Sequence, residues 1–375
     1  MKKTTVLSWN KNRLEYLLDA FGMSLTELVD KINLSRPRKP IEASELTADR
    51  VRISVLKSVD RLFKKGLFFY LMEDVKYREN KSVFFRKEKF NAELDFYTKS
   101  IVMKHEEDLA LLSSYAAICD IETGRTLKKF TTKADPAKVA MLPEIAALRP
   151  NKIKKEKQWI ENLCNKLADV NIDVREISEP HNRKDKLSVN GFFIAPNLIV
   201  SKYEGNRRRQ AFTIAHELGH YLLESEDFDL LNDANAAGTN KVENWCNDFA
   251  FYFLAGENAS LIEKSTVLKG LDATVELVDR LYELTMLSKA AICYRLMKYN
   301  RITRPMYSKA LDRFDKRTKE EKIEGIRHYT SATPIISPYL SGIVKVAYDI
   351  GAVELHELPG LLHTRPKIIR KYIRT

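Results

Sequence analysis

The amino-acid sequence predicts an α+β protein that is mainly helical, with one small sheet. Apolar residues recur at helical spacing along most of the chain, and three short segments between residues 172 and 200 are typical of strands. The 375 residues are enough for two or three domains. With 44% hydrophobic and 30% charged residues, the composition excludes a disordered protein and a bundle of membrane helices. We therefore expect a central domain that contains the sheet, flanked by helical domains.

The net charge of +12 is distributed unevenly along the chain. Residues 1–100 and 301–375 each carry a charge of +7, whereas residues 201–300 carry −4. Basic flanks around an acidic centre indicate either weak, non-specific binding of DNA at the ends or solvated lysine and arginine faces, and both interpretations stay open.

The expected location is the cytoplasm, and no binding to membranes is expected. No apolar run approaches the ~18 residues of a spanning helix, and none follows the two lysines at the N-terminus as in a secretory signal. The four cysteines form no CxxC pair and are typical of reduced, mostly buried thiols; they are Cys119, Cys164, Cys246 and Cys293.

Residues 1–60 are predicted to form a divergent helix-turn-helix-like module. Asn12–Phe21 has leucines at helical spacing and is followed by Gly22, a residue that commonly ends helices. Ser24 and Glu27 fit a capping box, in which the two side chains bind backbone N–H groups at the start of a second helix. A helix, a glycine turn and a capped short helix are how a helix-turn-helix begins.

The recognition helix of this module is interrupted. Pro37 and Pro40 prevent a regular helix where that helix should begin. Either the recognition helix is displaced to about Thr47–Val59, or the module no longer reads bases. Basic side chains in the interrupted stretch could still contact phosphates; they are Arg36, Arg38 and Lys39.

Three further segments are predicted after this module: a helical region over residues 61–150, the central domain over 151–300 and a basic helical region over 301–375. Prolines and a basic run, Lys152–Lys157, mark the boundary near residue 150. The central domain is expected to begin with a helix and three strands, at Trp159–Leu167, Ile172–Ile177, Gly191–Ala195 and Leu198–Val200.

The segment Ala211–Leu223 carries the most informative motif, HELGH at residues 216–220. In a helix His216 and His220 lie one turn apart, so both imidazoles face the same side and can bind one metal ion. Glu217 is then placed to act as general base on the attacking water. The alternative is that both histidines are surface residues of an amphipathic helix, but the apolar flanks favour a buried helix.

A catalytic zinc site needs a third protein ligand. Leu223 and Glu226 stand where a metzincin has glycine and histidine, which excludes that class. Glu243 lies in a later segment that can return as a helix beside the first, 23 residues after His220. Asn247 follows one turn later on the same face, where it could hold a ligating histidine by its other ring nitrogen. The rival ligands lie at or just past the end of the histidine helix: Glu224, Glu226 and Asp227.

The remaining candidates are weaker. The second His-Glu pair, His356-Glu357, is followed by Pro359 and has no partner histidine at helical spacing. His181 is at most a candidate for the substrate site. The oxyanion-stabilising residue cannot be chosen from the sequence, because Tyr221 and Tyr252 differ in nothing but position from the other tyrosines.

Together the motifs resemble the ImmA/IrrE family of metallopeptidases. The resemblance is carried by Arg208–His220 and by the segment E-x-x-C-N-x-F-A that begins at Glu243. The strands ahead and the segment Leu287–Leu296 behind match the family's layout, so the resemblance covers about residues 150–310. Cys246 replaces the family's usual alanine, and Ala255-Gly256-Glu257 replaces a Met-Pro pair, but neither change removes a presumed ligand.

The resemblance implies a zincin-like metallopeptidase domain over residues 151–300. Zinc, with manganese or another divalent metal as an alternative, would be held by His216, His220 and Glu243, with Glu217 as the base. The implied reaction is cleavage of one regulatory protein, a helix-turn-helix repressor or antitoxin-like partner, in a stress response or in the regulation of a mobile element or phage. Two alternatives stay open: a DNA-binding regulator or antitoxin with a non-catalytic metal site, and a toxin-like protease effector.

Overall fold

The computed structural model describes residues 5–71, 94–151, 155–179, 186–225, 228–230, 241–324, 334–364 and 366–373. Contacts between Cα atoms divide the chain into two compact units, residues 1–107 and 108–375. This division does not test the four segments predicted from the sequence, which stay predictions.

The first unit consists of short helices and a two-stranded antiparallel sheet. Its described elements are β1 (Val6–Ser8), α1 (Lys11–Phe21), α2 (Leu25–Leu34), α3 (Ala43–Thr47), β2 (Arg50–Arg52), α4 (Ile53–Phe63), α5 (Leu67–Leu71) and the start of α6 (Phe96–Ile118). β1 pairs with β2, so that Leu7 lies opposite Val51.

The first two helices have the predicted ends. Gly22 adopts a positive φ of 58° after α1, a backbone conformation that glycine accepts without strain. Both halves of the capping box form at the start of α2: the Glu27 amide donates to Ser24 Oγ at 3.2 Å, and the Ser24 amide donates to Glu27 Oε2 at 2.7 Å. The predicted glycine turn and capped second helix are therefore present, and the helix-turn-helix-like module stays a prediction.

The stretch after α2 departs from a regular recognition helix, as Pro37 and Pro40 predict. The displaced helix expected at about Thr47–Val59 begins only at Ile53, because residues 50–52 form strand β2 instead. Arg36, a predicted phosphate contact, donates from Nη1 to Ser54 O and Ser58 Oγ at 2.9 and 3.0 Å, whereas Arg38 and Lys39 are exposed. These bonds use Nη1 alone, so a phosphate contact by Arg36 would have to come from Nε or Nη2.

The second unit contains a four-stranded mixed sheet with the strand order β3-β5-β4-β6. β3 is parallel to β5, and the other two pairs are antiparallel. The strands are β3 (Asp173–Ser178), β4 (Val189–Ile194), β5 (Leu198–Tyr203) and β6 (Phe228–Leu230). The first three coincide with the predicted strands to within a few residues, whereas β6 was not predicted.

Helices make up most of the second unit, and none of the helices that the structure describes is long and apolar enough to cross a membrane. After α6 the α-helices are α7 (Pro136–Ala140), α8 (Pro143–Ala146), α9 (Glu156–Ala168), α10 (Arg207–Leu223), α11 (Lys241–Ala255), α12 (Ala259–Glu263), α13 (Leu271–Leu284), α14 (Lys289–Lys298), α15 (Arg304–Glu324), α16 (Pro338–Asp349), α17 (Leu358–Leu361) and α18 (Pro366–Ile373). The predicted fold class is confirmed: a mainly helical α+β, zincin-like domain with a small sheet.

One apolar core joins α10, α11 and the sheet. In the sequence this core extends beyond the predicted central domain, residues 151–300, since it includes Leu127 before that domain and Ile335 after it. Three of the four cysteines are buried and the fourth is half-buried, and all are free. Burial raises the pKa of the Cys164 and Cys293 thiols to about 12, which suits inert core residues.

Candidate metal centre

Helix α10 carries the HELGH motif and is fixed at both ends. At its start the Asn206 side chain accepts hydrogen bonds from the amides of Arg208 and Arg209 at 3.0 Å each. At its end Glu224 adopts a positive φ of 53°, and the Ser225 amide donates to His220 O at 3.0 Å. This turn satisfies carbonyl groups of the last helical turn, the turn in which His220 lies.

Two glycines bring α10 close to its neighbours. A Cβ atom at Gly219 would lie 3.1 Å from both Cα and Sγ of Cys246 on α11. A Cβ atom at Gly191 on β4 would lie 2.4 Å from Thr213 Cγ2 of α10 and 3.2 Å from Glu217 Oε1. Helix α10 packs so closely against α11 on one side and against β4 on the other that neither glycine position has room for a side chain.

The three predicted ligands come together in the space between α10 and α11. The Nε2 atoms of His216 and His220 are 3.1 Å apart. Each of them is also 3.1 Å from an oxygen of Glu243, His216 from Oε2 and His220 from Oε1. His216 and His220 are 2% and 0% exposed, whereas the Glu243 side chain is 28% exposed.

The other ring nitrogens of the two histidines face acceptors. His216 Nδ1 lies 3.1 Å from Asn247 Oδ1, the arrangement that the one-turn spacing of Glu243 and Asn247 predicts. His220 Nδ1 lies 3.0 Å from the carbonyl oxygen of Ser225. Since a carbonyl oxygen can only accept, these bonds place the proton of a neutral ring on Nδ1 and leave the Nε2 lone pairs directed at each other and at Glu243.

This donor set fits a divalent metal ion of the kind that two histidines and a glutamate bind in hydrolytic zinc sites. A tetrahedral zinc with bonds of ~2.0–2.1 Å separates its ligand atoms by about 3.3 Å. This is close to the 3.1 Å between the two Nε2 atoms and between each of them and an oxygen of Glu243. Glu243 Oε1 is buried and accepts no hydrogen bond from the described residues. Burial raises the pKa of the Glu243 carboxyl; when His216 and His220 are protonated, their hydrogen bonds and charges outweigh burial and hold this pKa well below its usual range.

Glu217, the predicted base, follows His216 in the sequence and lies on the face of α10 that packs against β4. It is fully buried, and its Oε1 atom is adjacent to Gly191, where the missing side chain leaves space. Because Glu217 is the neighbour of His216 in the helix, its carboxylate points about 100° around the helix axis from that ligand. The carboxylate is therefore not one of the three grouped side chains that could hold an ion.

The rival ligands and the oxyanion candidates are placed elsewhere or lie outside the described residues. Glu224 forms a surface ion pair with Lys129. The Tyr221 side chain is buried between Phe193 and the Arg125 guanidinium, and the Tyr252 hydroxyl bonds to Glu263 and Tyr299. Glu226, Asp227 and His181 lie outside the part of the chain that the structure describes.

Sequence reasoning missed the contacts that hold the end of α10. The Arg125 guanidinium donates to the carbonyl oxygens of Tyr221 and Leu222 at 2.8 and 3.4 Å. A cation at this end of a helix also interacts favourably with the helix dipole. The Ser225 carbonyl has no signal in the sequence, because any residue carries one. Arg125 lies nearly a hundred residues before its partners, so no local spacing connects them.

The match with known proteins is confined to the central part of the chain. Residues 167–297 match the model of the IrrE N-terminal-like domain, a family of M78 peptidases, which confirms the predicted resemblance to the ImmA/IrrE family for that region. The matched region includes the sheet, α10 and α11, and thus the whole cluster. No curated protein and no solved structure shows significant similarity to the chain.

Proposed function

From the premise that residues 167–297 are an IrrE N-terminal-like domain, which implies a metallopeptidase, we propose that the chain is a zinc-dependent endopeptidase that cleaves a regulatory protein. The observation that carries the proposal is the convergence of His216, His220 and Glu243 beside a buried glutamate. Three protein ligands leave a tetrahedral metal ion one open coordination position. Hydrolysis requires such a position, whereas a structural site has all four positions filled by protein.

Each residue has a distinct part in the proposed reaction. A bound zinc ion would polarise the scissile carbonyl group and lower the pKa of a water molecule. His216, His220 and Glu243 would hold the ion, and Asn247 and the Ser225 carbonyl keep the two imidazoles turned so that Nε2 faces it. Glu217 accepts the proton of the attacking water at its carboxylate, the task of a general base.

The substrate that we propose is a helix-turn-helix repressor or an antitoxin-like protein, cut at one site. The support is the family resemblance of the central region. The basic ends of the chain would add weak, non-specific binding to the DNA on which such a partner sits.

The test is co-expression of the wild-type chain and of Glu217→Gln with proteins encoded nearby. Glutamine has almost the same shape as glutamate but cannot accept the proton, so the variant should keep its metal content and melting temperature while cleavage falls by orders of magnitude. The expected result is a fragment that only the wild type produces, identified by mass spectrometry.

Two outcomes would contradict the peptidase. If Glu217→Gln produced the same fragment as the wild type, the proposed mechanism would be wrong. If the wild type bound operator DNA in a salt-dependent gel shift and cut none of its partners, the regulator with a non-catalytic metal site would be favoured instead. Harm to the host cell that Glu217→Gln relieves would instead favour the toxin-like effector.

A further inference from the structure

Arg295, in helix α14, contacts α11 at the level of Asn247. Its side chain is buried, with 4% of the residue exposed. Nη2 donates to the backbone carbonyl oxygen of Asn247 at 2.9 Å, and Nη1 pairs with the carboxylate of Asp248. The guanidinium carbon also lies 4.3 Å from the centre of the Phe251 ring. Arg295 therefore contacts one turn of α11 in three ways: a hydrogen bond to the helix backbone, an ion pair and a contact with an aromatic ring.

The turn that Arg295 holds is the one that supports the metal cluster. Asn247 presents its side chain to His216, and Glu243 lies four residues earlier on the same face of α11. A rotation of α11 by ~10° would move side-chain atoms about 6 Å from its axis by about 1 Å, whereas ligand sets tolerate displacements of about 0.5 Å. The geometry of the cluster thus requires that α11 be held at one rotation about its axis.

A second cation nearby offers a comparison. Lys298 Nζ donates to the same Asp248 carboxylate at 2.9 Å, but it lies at the surface and is not bonded to Asn247 in the described part of the chain. The loss of Lys298 therefore tests the ion pair without the backbone contact. Asp248→Asn tests the converse, because it removes the charge on the acceptor and leaves the Asn247 carbonyl bonded to Arg295.

We propose that Arg295 is a positioning residue of the metal centre, which acts through Asn247 to hold His216 and Glu243 in the geometry that binds the ion. The proposal rests on the metal site of the proposed function, but it concerns the binding of metal and not cleavage. The competing view is that Arg295 only stabilises the fold by a buried ion pair with Asp248. The two views differ in whether Arg295 and Asn247 affect metal affinity independently.

The experiment measures zinc affinity of the full chain by competition with a chromogenic chelator, with Co²⁺ absorption as a second probe of ligand geometry. Arg295→Met should weaken zinc binding on the order of 10- to 100-fold, as loss of a group that orients a ligand does. Arg295→Lys, which keeps the charge but loses the two-nitrogen fork that serves Asn247 and Asp248, should fall between Arg295→Met and the wild type. Lys298→Met and Asp248→Asn should bind zinc about as the wild type does, even where Asp248→Asn lowers the melting temperature.

A double variant decides between the two views. If Arg295 acts through Asn247, Arg295→Met combined with Asn247→Ala should bind zinc no more weakly than the weaker single variant. Losses that multiply in the double variant would overturn the proposal. So would a zinc affinity of Arg295→Lys or Arg295→Met equal to that of Lys298→Met.

The same measurements separate this proposal from the peptidase. A wild-type chain that binds zinc but cleaves nothing would contradict the proposed function alone, and the affinities would still support or overturn the role of Arg295. A wild-type chain without measurable zinc affinity would overturn both.

Discussion

At the residue scale, we expect metal binding by the cluster to need one atom from each of its three side chains, because no neighbouring side chain can replace any of them. His216 and His220 share one face of α10, and Glu243 completes the set from α11. We expect about one zinc ion per chain in the wild type and none retained in His216→Ala or His220→Ala, measured by elemental analysis after dialysis. Full occupancy in either variant would contradict the assignment of the two histidines.

The third ligand is tested by comparing two acidic residues. Glu243→Ala should bind zinc severely more weakly and lose cleavage, because it leaves only two ligands. Glu224→Ala is the matched control: Glu224 ends the histidine helix, but its carboxylate pairs with Lys129 at the surface, so zinc binding should be nearly unchanged. The reverse ranking of the two variants in a zinc titration would mean that the site is built differently.

The grouping of these side chains could be predicted in part because helical spacing decides which side chains share a face. HELGH puts two imidazoles together, and the spacing of Glu243 and Asn247 puts both on one face of α11; that this face meets the imidazoles is a result of tertiary packing. The Ser225 carbonyl and Arg295 could not be predicted, since their roles depend on where the chain turns after α10 and on how α14 packs. Those features arise from tertiary contacts between distant segments and leave no local pattern.

At the element scale, the spacing of α10 and α11 is set by the absence of a side chain at Gly219. Replacement of a helical glycine by alanine usually stabilises a helix by ~0.5–1 kcal/mol. Here the new Cβ would lie 3.1 Å from the Cα atom of Cys246, so we expect Gly219→Ala to destabilise the fold by about 1–3 kcal/mol and to weaken zinc binding.

A second substitution tests whether this contact is the cause. Cys246→Ala removes the Sγ atom that the new methyl group would also meet, so the double variant should recover part of the lost stability in chemical denaturation. If Gly219→Ala proved as stable as the wild type, the close approach of the two helices would be wrong.

The strands of the second unit show where sequence patterns are enough to predict an element. β3, β4 and β5 follow from apolar patterns, whereas three-residue β6 is too short to give one.

At the scale of the whole molecule, the core that supports the cluster is longer in sequence than the central segment predicted at 151–300. Segments before it supply Leu127 and Leu148, and a segment after it supplies Phe314. The indole nitrogen of Trp245 on α11 also donates to Ala134 O at 2.7 Å. The boundary predicted near residue 150 rests on local composition and stays a prediction, and the core includes residues on both sides of it.

Two fragments make this testable. Residues 151–300 alone should fail to unfold cooperatively and should bind zinc poorly, because they lack apolar residues that cover α10 and α11. Residues 108–375, the second compact unit, should melt in one transition and bind zinc like the full chain. Calorimetry with and without zinc would compare them, and a cooperative, zinc-binding fragment 151–300 would disprove the need for the added segments.

The first unit is expected to bind DNA weakly. Pro37 and Pro40 interrupt the stretch in which a recognition helix was predicted to begin, and Arg36 is hydrogen-bonded to Ser54 and Ser58 of α4. Binding of the full chain to duplex DNA should therefore fall steeply as salt rises and show little preference for sequence, as measured by fluorescence anisotropy. Nanomolar, sequence-selective binding at physiological salt would contradict this expectation.

The turn at Ser225 also links metal binding to how often the last turn of α10 opens. The Ser225 amide is bonded to the backbone of His220, and the Ser225 carbonyl faces the imidazole of the same residue. The last turn of α10 therefore cannot open without disturbing the His220 ring. By thermodynamic linkage, an ion held on that ring would lower the frequency of opening, so the hydrogen-exchange rate of this one amide would report how much of the protein carries its metal.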